Sequence, residues 1–140
     1  MKILIFGLPG SGKSTLAEPF AKLIGGVWIN ADAVRKQYDD WDFSPEGRMR
    51  QAMRMKFLAD GVVMAGKIAV ADFVCPTNET REAFGDAFTI YVDRIDPEDS
   101  TYMNTRDLFV PPTKYNLRYD VTSTRHDALS VITNHQGSWT

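Results

Sequence analysis

The chain has one cysteine, Cys75, in 140 residues, which excludes an internal disulfide and a zinc site built from several cysteines. It has no apolar run of the length needed to cross a bilayer. Basic residues are not in excess: 16 Lys and Arg against 18 Asp and Glu give a formal net charge of −2. A general surface for nucleic acid or another polyanion is therefore not expected. The N-terminal apolar stretch is broken by glycines too early for a secretory signal, so the expected location is cytoplasmic. The two histidines, His126 and His135, read as solvent-exposed residues and not as metal ligands. No internal repeat or low-complexity tract is present. What remains is the ordinary composition of a globular protein, 44% hydrophobic and 24% charged. The length suits a single domain spanning 1–140.

Against that background one stretch stands out. Gly7 to Thr15 reads Gly-Leu-Pro-Gly-Ser-Gly-Lys-Ser-Thr and fits the phosphate-loop pattern G-x-x-x-x-G-K-[ST]. Its flanks also fit. Lys2 to Phe6 is a short apolar run, as in a buried parallel strand, and Thr15 to Ile24 repeats apolar residues at helical spacing. Strand, glycine loop and helix aim backbone N–H groups and a helix N-terminus at one anion. Gly7, Pro9, Gly10, Ser11, Gly12, Lys13, Ser14 and Thr15 are the expected ATP-binding residues. Lys13 would reach the β- and γ-phosphates, and Ser14 would ligate Mg²⁺. Pro19 lies inside the helix and removes one N–H donor, so a kink is expected there.

The rest of the chain alternates strand and helix. Gly25-Gly26 ends the first helix, and Val27 to Ile29 is a second short strand. A helix begins after Asn30, a suitable N-cap. On it Asp32 and Arg35 share a face. Two readings fit that pair: a surface ion pair, or a carboxylate that orients or deprotonates an acceptor hydroxyl beside an arginine that clamps the acceptor's acidic group. Lys36 to Phe43 reads as a loop or frayed helix end. Ser44 and Pro45 open a long helix running to about Ala65, carrying Arg48, Arg50 and Arg54. Lys67 to Phe73 is a third, buried strand. Asp72 at its end is either a Mg²⁺-holding carboxylate or a cap for the next turn. Cys75 reads as a small semi-buried residue and not as a nucleophile.

Asn78 to Phe84 is a short helix, Phe88 to Val92 a fourth strand and Asn116 to Val121 a fifth. The segment of about 94–113 reads as irregular and lid-like, with Arg106 as its candidate arginine and an expected ATP-binding residue. Thr122 to Asn134 reads as a closing helix. The expected fold is α/β: a three-layer α/β/α phosphate-loop kinase with a mostly parallel five-stranded sheet.

These segments together resemble the adenylylsulfate kinase family. Gly7 to Ala17 is similar to its phosphate loop and helix start. Asp32-Ala33-Val34-Arg35 resembles its Asp-x-x-Arg. Phe43-Ser44-Pro45-Glu46, with Arg48, Gln51 and Arg54, resembles its F-S-x-x-D-R-x-x-N-x-x-R segment. Phe73-Val74-Cys75-Pro76, with Arg81 beyond, resembles its F-I-S-P stretch, and Tyr91-Val92-Asp93 falls on its fourth strand. The chain has Gly47, Gln51 and Met53 where that pattern has aspartate, asparagine and arginine, and Asp72 where it has a small residue.

The resemblance implies transfer of the γ-phosphoryl group of ATP, with Mg²⁺, to the 3′-hydroxyl of adenylylsulfate, a small-molecule substrate. Asp32 would orient the hydroxyl, and Arg35, Arg48 and Arg54 would hold the phosphosulfate. Phe43 and Phe73 would pack on the adenine, beside Gln51, Val74 and Cys75. A homodimer is implied, and neither membrane nor nucleic acid is expected as a partner. Two other functions fit the residues: a kinase for a nucleic-acid 5′-hydroxyl or modified nucleoside, since phage polynucleotide kinases also pair a phosphate loop with Asp-x-x-Arg, and a non-catalytic nucleotide-binding protein.

Overall fold

The computed structural model describes residues 1–94 and 108–120; Arg106 and the expected helix at 122–134 lie outside them. In chain order the elements are β1 (Lys2–Phe6), α1 (Lys13–Ile24), β2 (Val27–Asn30), α2 (Ala31–Tyr38) and α3 (Pro45–Met64). They continue as β3 (Ala69–Phe73), α4 (Asn78–Phe84), β4 (Phe88–Asp93) and β5 (Leu117–Asp120). The strands form one sheet in the order β2-β3-β1-β4-β5. Every pairing is parallel, in line with the expected five-stranded, mostly parallel sheet. No tight hairpin joins any two of these strands, so none is forced antiparallel.

Alternation along β1 divides the core. Ile3 and Ile5 join Leu16, Ala17 and Phe20 of α1 on one face. Leu4 and Phe6 join Val34 of α2, Ala52 and Met55 of α3 and Phe84 of α4 on the other. Burial on both faces is what a parallel sheet requires.

Helix ends follow the expected chemistry. Asn30 caps α2 by accepting from the Ala33 N–H at 3.0 Å. Ser44 caps α3 by accepting from the Gly47 N–H at 3.1 Å, with Pro45 in the first turn. Gly25 closes α1 in the left-handed region at φ 67°. The helix runs on through Pro19 without a break. Among the described residues no helix is long and apolar enough to cross a membrane.

Candidate active site

The C-terminal ends of β1, β3 and β2 lie side by side. Ile5 pairs with Asp72 and Asp72 with Asn30, so three strand ends deliver the phosphate loop, Asp72 and Asn30 to one place. Ligands of open α/β sheets bind beyond these ends. Here a crevice of about 960 Å³ opens.

Part of its lining is the phosphate loop, through Pro9, Gly10, Gly12, Lys13, Ser14 and Thr15. Gly7 lies beneath, where only glycine fits: a Cβ there would stand 2.4 Å from the Val92 carbonyl oxygen. Ser11 is buried, and its Oγ has no hydrogen-bond partner among the described residues. Neither Gly7 nor Ser11 lines the crevice. Lys13 Nζ donates to the Leu8 carbonyl at 2.9 Å. Burial lowers its pKa to about 8, against the opposing pull of Asp72 and Asp32.

Asp72 sits below Lys13 and Ser14 and is 2% exposed. Its Oδ1 accepts from Ser14 Oγ at 3.2 Å, its Oδ2 accepts from Trp28 Nε1, and Asn30 Nδ2 donates to both oxygens at 3.3 Å. Burial raises the carboxyl's pKa, with these donors and the Lys13 charge working against it. Asn30 Nδ2 also reaches Ser14 Oγ at 3.1 Å. Trp28 and Asn30 were not expected at the site. Asn30 is the helix cap, and its second role depends on β2 lying beside β3, an adjacency that local sequence does not encode.

The lining also includes Asp32, Arg35, Phe43, Arg48 and Gln51, with Phe73, Val74, Cys75, Pro76 and Leu108. Leu108 falls in the stretch read as irregular, with no pattern to single it out. Asp32 is exposed at the rim. Arg35 and Arg48 are buried at 5% and 8% exposure, and burial lowers the pKa of both guanidiniums. The Phe43 ring lies against the two of them, its centroid 4.3 Å from Arg35 Cζ and 5.4 Å from Arg48 Cζ. Gln51 Nε2 donates to the Ala31 carbonyl at 3.0 Å, next to Asp32. The Cys75 backbone is left-handed at φ 45°, and Arg81 Nε donates to its carbonyl at 3.0 Å.

Arg54 does not line this crevice. It borders a shallow, open depression on α3 with Pro45, Glu46, Met49, Arg50 and Met53. Its guanidinium is engaged by Asp40 Oδ2 at 2.9 Å and by Gln51 Oε1 at 2.7 and 3.2 Å. No group of three or more His, Cys, Asp or Glu gathers among the described residues; Ser14 Oγ and Asp72 Oδ1 stand 3.2 Å apart beside the phosphate loop.

Solved structures share this architecture. The Mycobacterium tuberculosis APS kinase CysC, solved in complex with AMPPNP and APS, superposes with a TM-score of 0.81 at 18% identity, covering 97% of this chain and 96% of that one. A sugar kinase from Janibacter sp. HTCC2649 gives 0.74 at 13% identity over 95% and 92%. The hexameric APS kinase from Thiobacillus denitrificans gives 0.71 at 25% identity, over 97% of this chain and 29% of that one. No protein with a curated description matches the sequence significantly. The first two likenesses rest on identities too low to carry more than the fold, and that fold serves kinases of different acceptors. The sequence itself is more specific: the family model described as Adenylylsulphate kinase matches residues 1–105, a span that includes the phosphate loop, the Asp32–Arg35 pair and the Phe73–Pro76 wall. The chain belongs to the adenylylsulfate kinase family.

Proposed function

We propose that the chain transfers the γ-phosphoryl group of ATP to the 3′-hydroxyl of adenylylsulfate, giving 3′-phosphoadenylylsulfate. The observation that carries this reading is that one continuous crevice joins the phosphate loop to Asp32, Arg35, Phe43 and Arg48. A donor half made of backbone N–H groups and a lysine faces an acceptor half with a carboxylate, two buried arginines and aromatic surface.

The residues fit ATP and Mg²⁺. The Ser11 hydroxyl in the loop has no hydrogen-bond partner among the described residues, and Lys13 and Ser14 line the crevice. Ser14 and Asp72 offer hard oxygen donors, and Mg²⁺ is commonly held by one or two carboxylates together with substrate phosphates. When bound, Mg²⁺ would neutralise charge on the transferring phosphoryl group. Asp72, by accepting the Ser14 hydroxyl proton, would leave a serine lone pair directed to the metal. Lys13 would swing from the Leu8 carbonyl to the phosphates.

Arg35 and Arg48 would hold the acceptor's phosphosulfate, and Phe43 and Phe73 its adenine. Asp32 would orient the 3′-hydroxyl and take its proton as the acceptor oxygen bonds to phosphorus and the bond to ADP breaks. Such transfer demands mainly positioning and charge neutralisation, which these groups supply. The test of roles is Asp32→Asn. Steady-state kinetics should show kcat reduced about 10²- to 10⁴-fold, the usual worth of a general base, with the KM for ATP within about twofold of wild type. A loss of ATP affinity with kcat preserved would place Asp32 on the donor side and contradict the assignment.

A further inference from the structure

Between α2 and α3, residues 39–43 form a loop that sorts its polar groups by direction. Its carbonyls meet the two buried arginines of the crevice. Arg35 Nη1 donates to Asp40 O at 2.9 Å and Asp42 O at 3.3 Å, and Arg48 Nε donates to Phe43 O at 2.9 Å. Its carboxylates meet two other arginines. Asp40 Oδ2 accepts from Arg50 Nε at 3.2 Å and Arg54 Nη1 at 2.9 Å, and Asp42 Oδ2 accepts from Arg50 Nη2 at 2.8 Å. Asp40 Oδ1 and Asp42 Oδ1 accept the N–H groups of Asp42 and Ser44.

The distinction matters for an anion site. A carboxylate set against Arg35 would cancel the charge an anionic acceptor needs, whereas a carbonyl oxygen orients the guanidinium and leaves its charge in place. The loop also lies hard against α3. A Cβ on Gly47 would stand 2.1 Å from the Asp42 carbonyl oxygen, so glycine at this position is what lets the loop approach.

We propose that Asp40, Arg50 and Arg54 are positioning residues for acceptor binding. Their ion-pair cluster holds the loop so that its carbonyls, and not its carboxylates, hydrogen-bond Arg35 and Arg48, although the Asp40 charge still acts on Arg35 through space. Arg54 acts through the loop and does not touch the acceptor. Asp40 and Arg54 are both largely shielded from solvent, and the effect of the cluster on the site is read as acceptor affinity. Only the acceptor's identity rests on the functional reading above.

The experiment fills the phosphate loop of the full chain with excess ADP and Mg²⁺, then titrates adenylylsulfate calorimetrically into wild type, D40A, R54A and G47A. Hydrogen exchange over residues 39–44 is followed alongside. D40A should weaken adenylylsulfate binding at least about tenfold, or about 1.4 kcal/mol, with ADP affinity within twofold of wild type and exchange over 39–44 accelerated. R54A should show a smaller loss. G47A, which displaces the loop without removing a charge, should reproduce the D40A result. Unchanged adenylylsulfate affinity in D40A, or a parallel loss of ADP affinity, would overturn the proposal. If wild type binds no adenylylsulfate, the functional reading falls, and inorganic sulfate becomes the probe. Weaker sulfate binding in D40A than in wild type then supports the positioning role; equal or absent binding overturns it.

Discussion

Cys75 lines the crevice, a place where a thiol invites a chemical role, but its surroundings deny one. The residue is fully buried, and burial pushes its pKa up to about 12, only partly offset by a hydrogen bond with Thr80 and the nearby Arg81 charge. At pH 8 the thiolate that would react is therefore almost absent. Because the chain has no other cysteine, the expectation is easily read: a thiol reagent should leave the native protein unlabelled and label one site after unfolding. Prompt labelling of native protein would show the wall to be open. The sequence permitted the inert reading of Cys75, since no partner stood nearby to lower its pKa. It gave no sign of the left-handed backbone, which is unusual for a residue with a Cβ. Asp72 was legible as an acid at a strand end. Its indole donor from Trp28, 44 residues away, was not.

Local elements were readable where their chemistry is local. Asn30, Ser44 with Pro45, and Gly25 each mark a helix end by side-chain or backbone properties of a single residue, and the structure uses each in that way. The stretch to Phe43 was legible as a loop, but its contacts were not, because they are made with arginines 8 to 14 residues further on. Arg54, taken from the sequence as an acceptor ligand, hydrogen-bonds Asp40 and Gln51 and does not line the crevice.

That cluster has a pH signature. Hydrogen bonds from Arg50 first, then from the Asp42 N–H and Arg54, hold the Asp40 carboxyl well below the carboxylate range. Arg50 and Ser44 bring Asp42 down to about 2. Folded values below the unfolded one, near 3.9, mean that the contribution is present above about pH 4 and is lost as pH falls toward 2. The urea midpoint of wild type should therefore drop over that window, and that of a D40N/D42N double variant should drop less. Parallel curves would show that the pairs contribute nothing to the folded state.

At the scale of the molecule, parallel order does the assembling. With β3 between β2 and β1, the ends of three strands separated by dozens of residues converge on one crevice. Alternating strands and helices made an α/β sheet with a phosphate loop predictable. Which strands would be neighbours was not, because sheet order depends on packing of whole elements and not on any one segment. The same convergence sets the phosphate loop and the Asp32, Arg35 and Arg48 side chains in one cavity, and we propose that phosphoryl transfer occurs across it.

Transfer of label from γ-labelled ATP, with Mg²⁺, to a panel of acceptors tests that claim most directly. The panel is adenylylsulfate, nucleosides, sugars and a 5′-hydroxyl oligonucleotide. The account predicts labelled 3′-phosphoadenylylsulfate from wild type and none from Lys13→Ala. Label passing only to another acceptor would contradict the adenylylsulfate assignment, and bound ATP with no transfer to any acceptor would contradict the kinase itself.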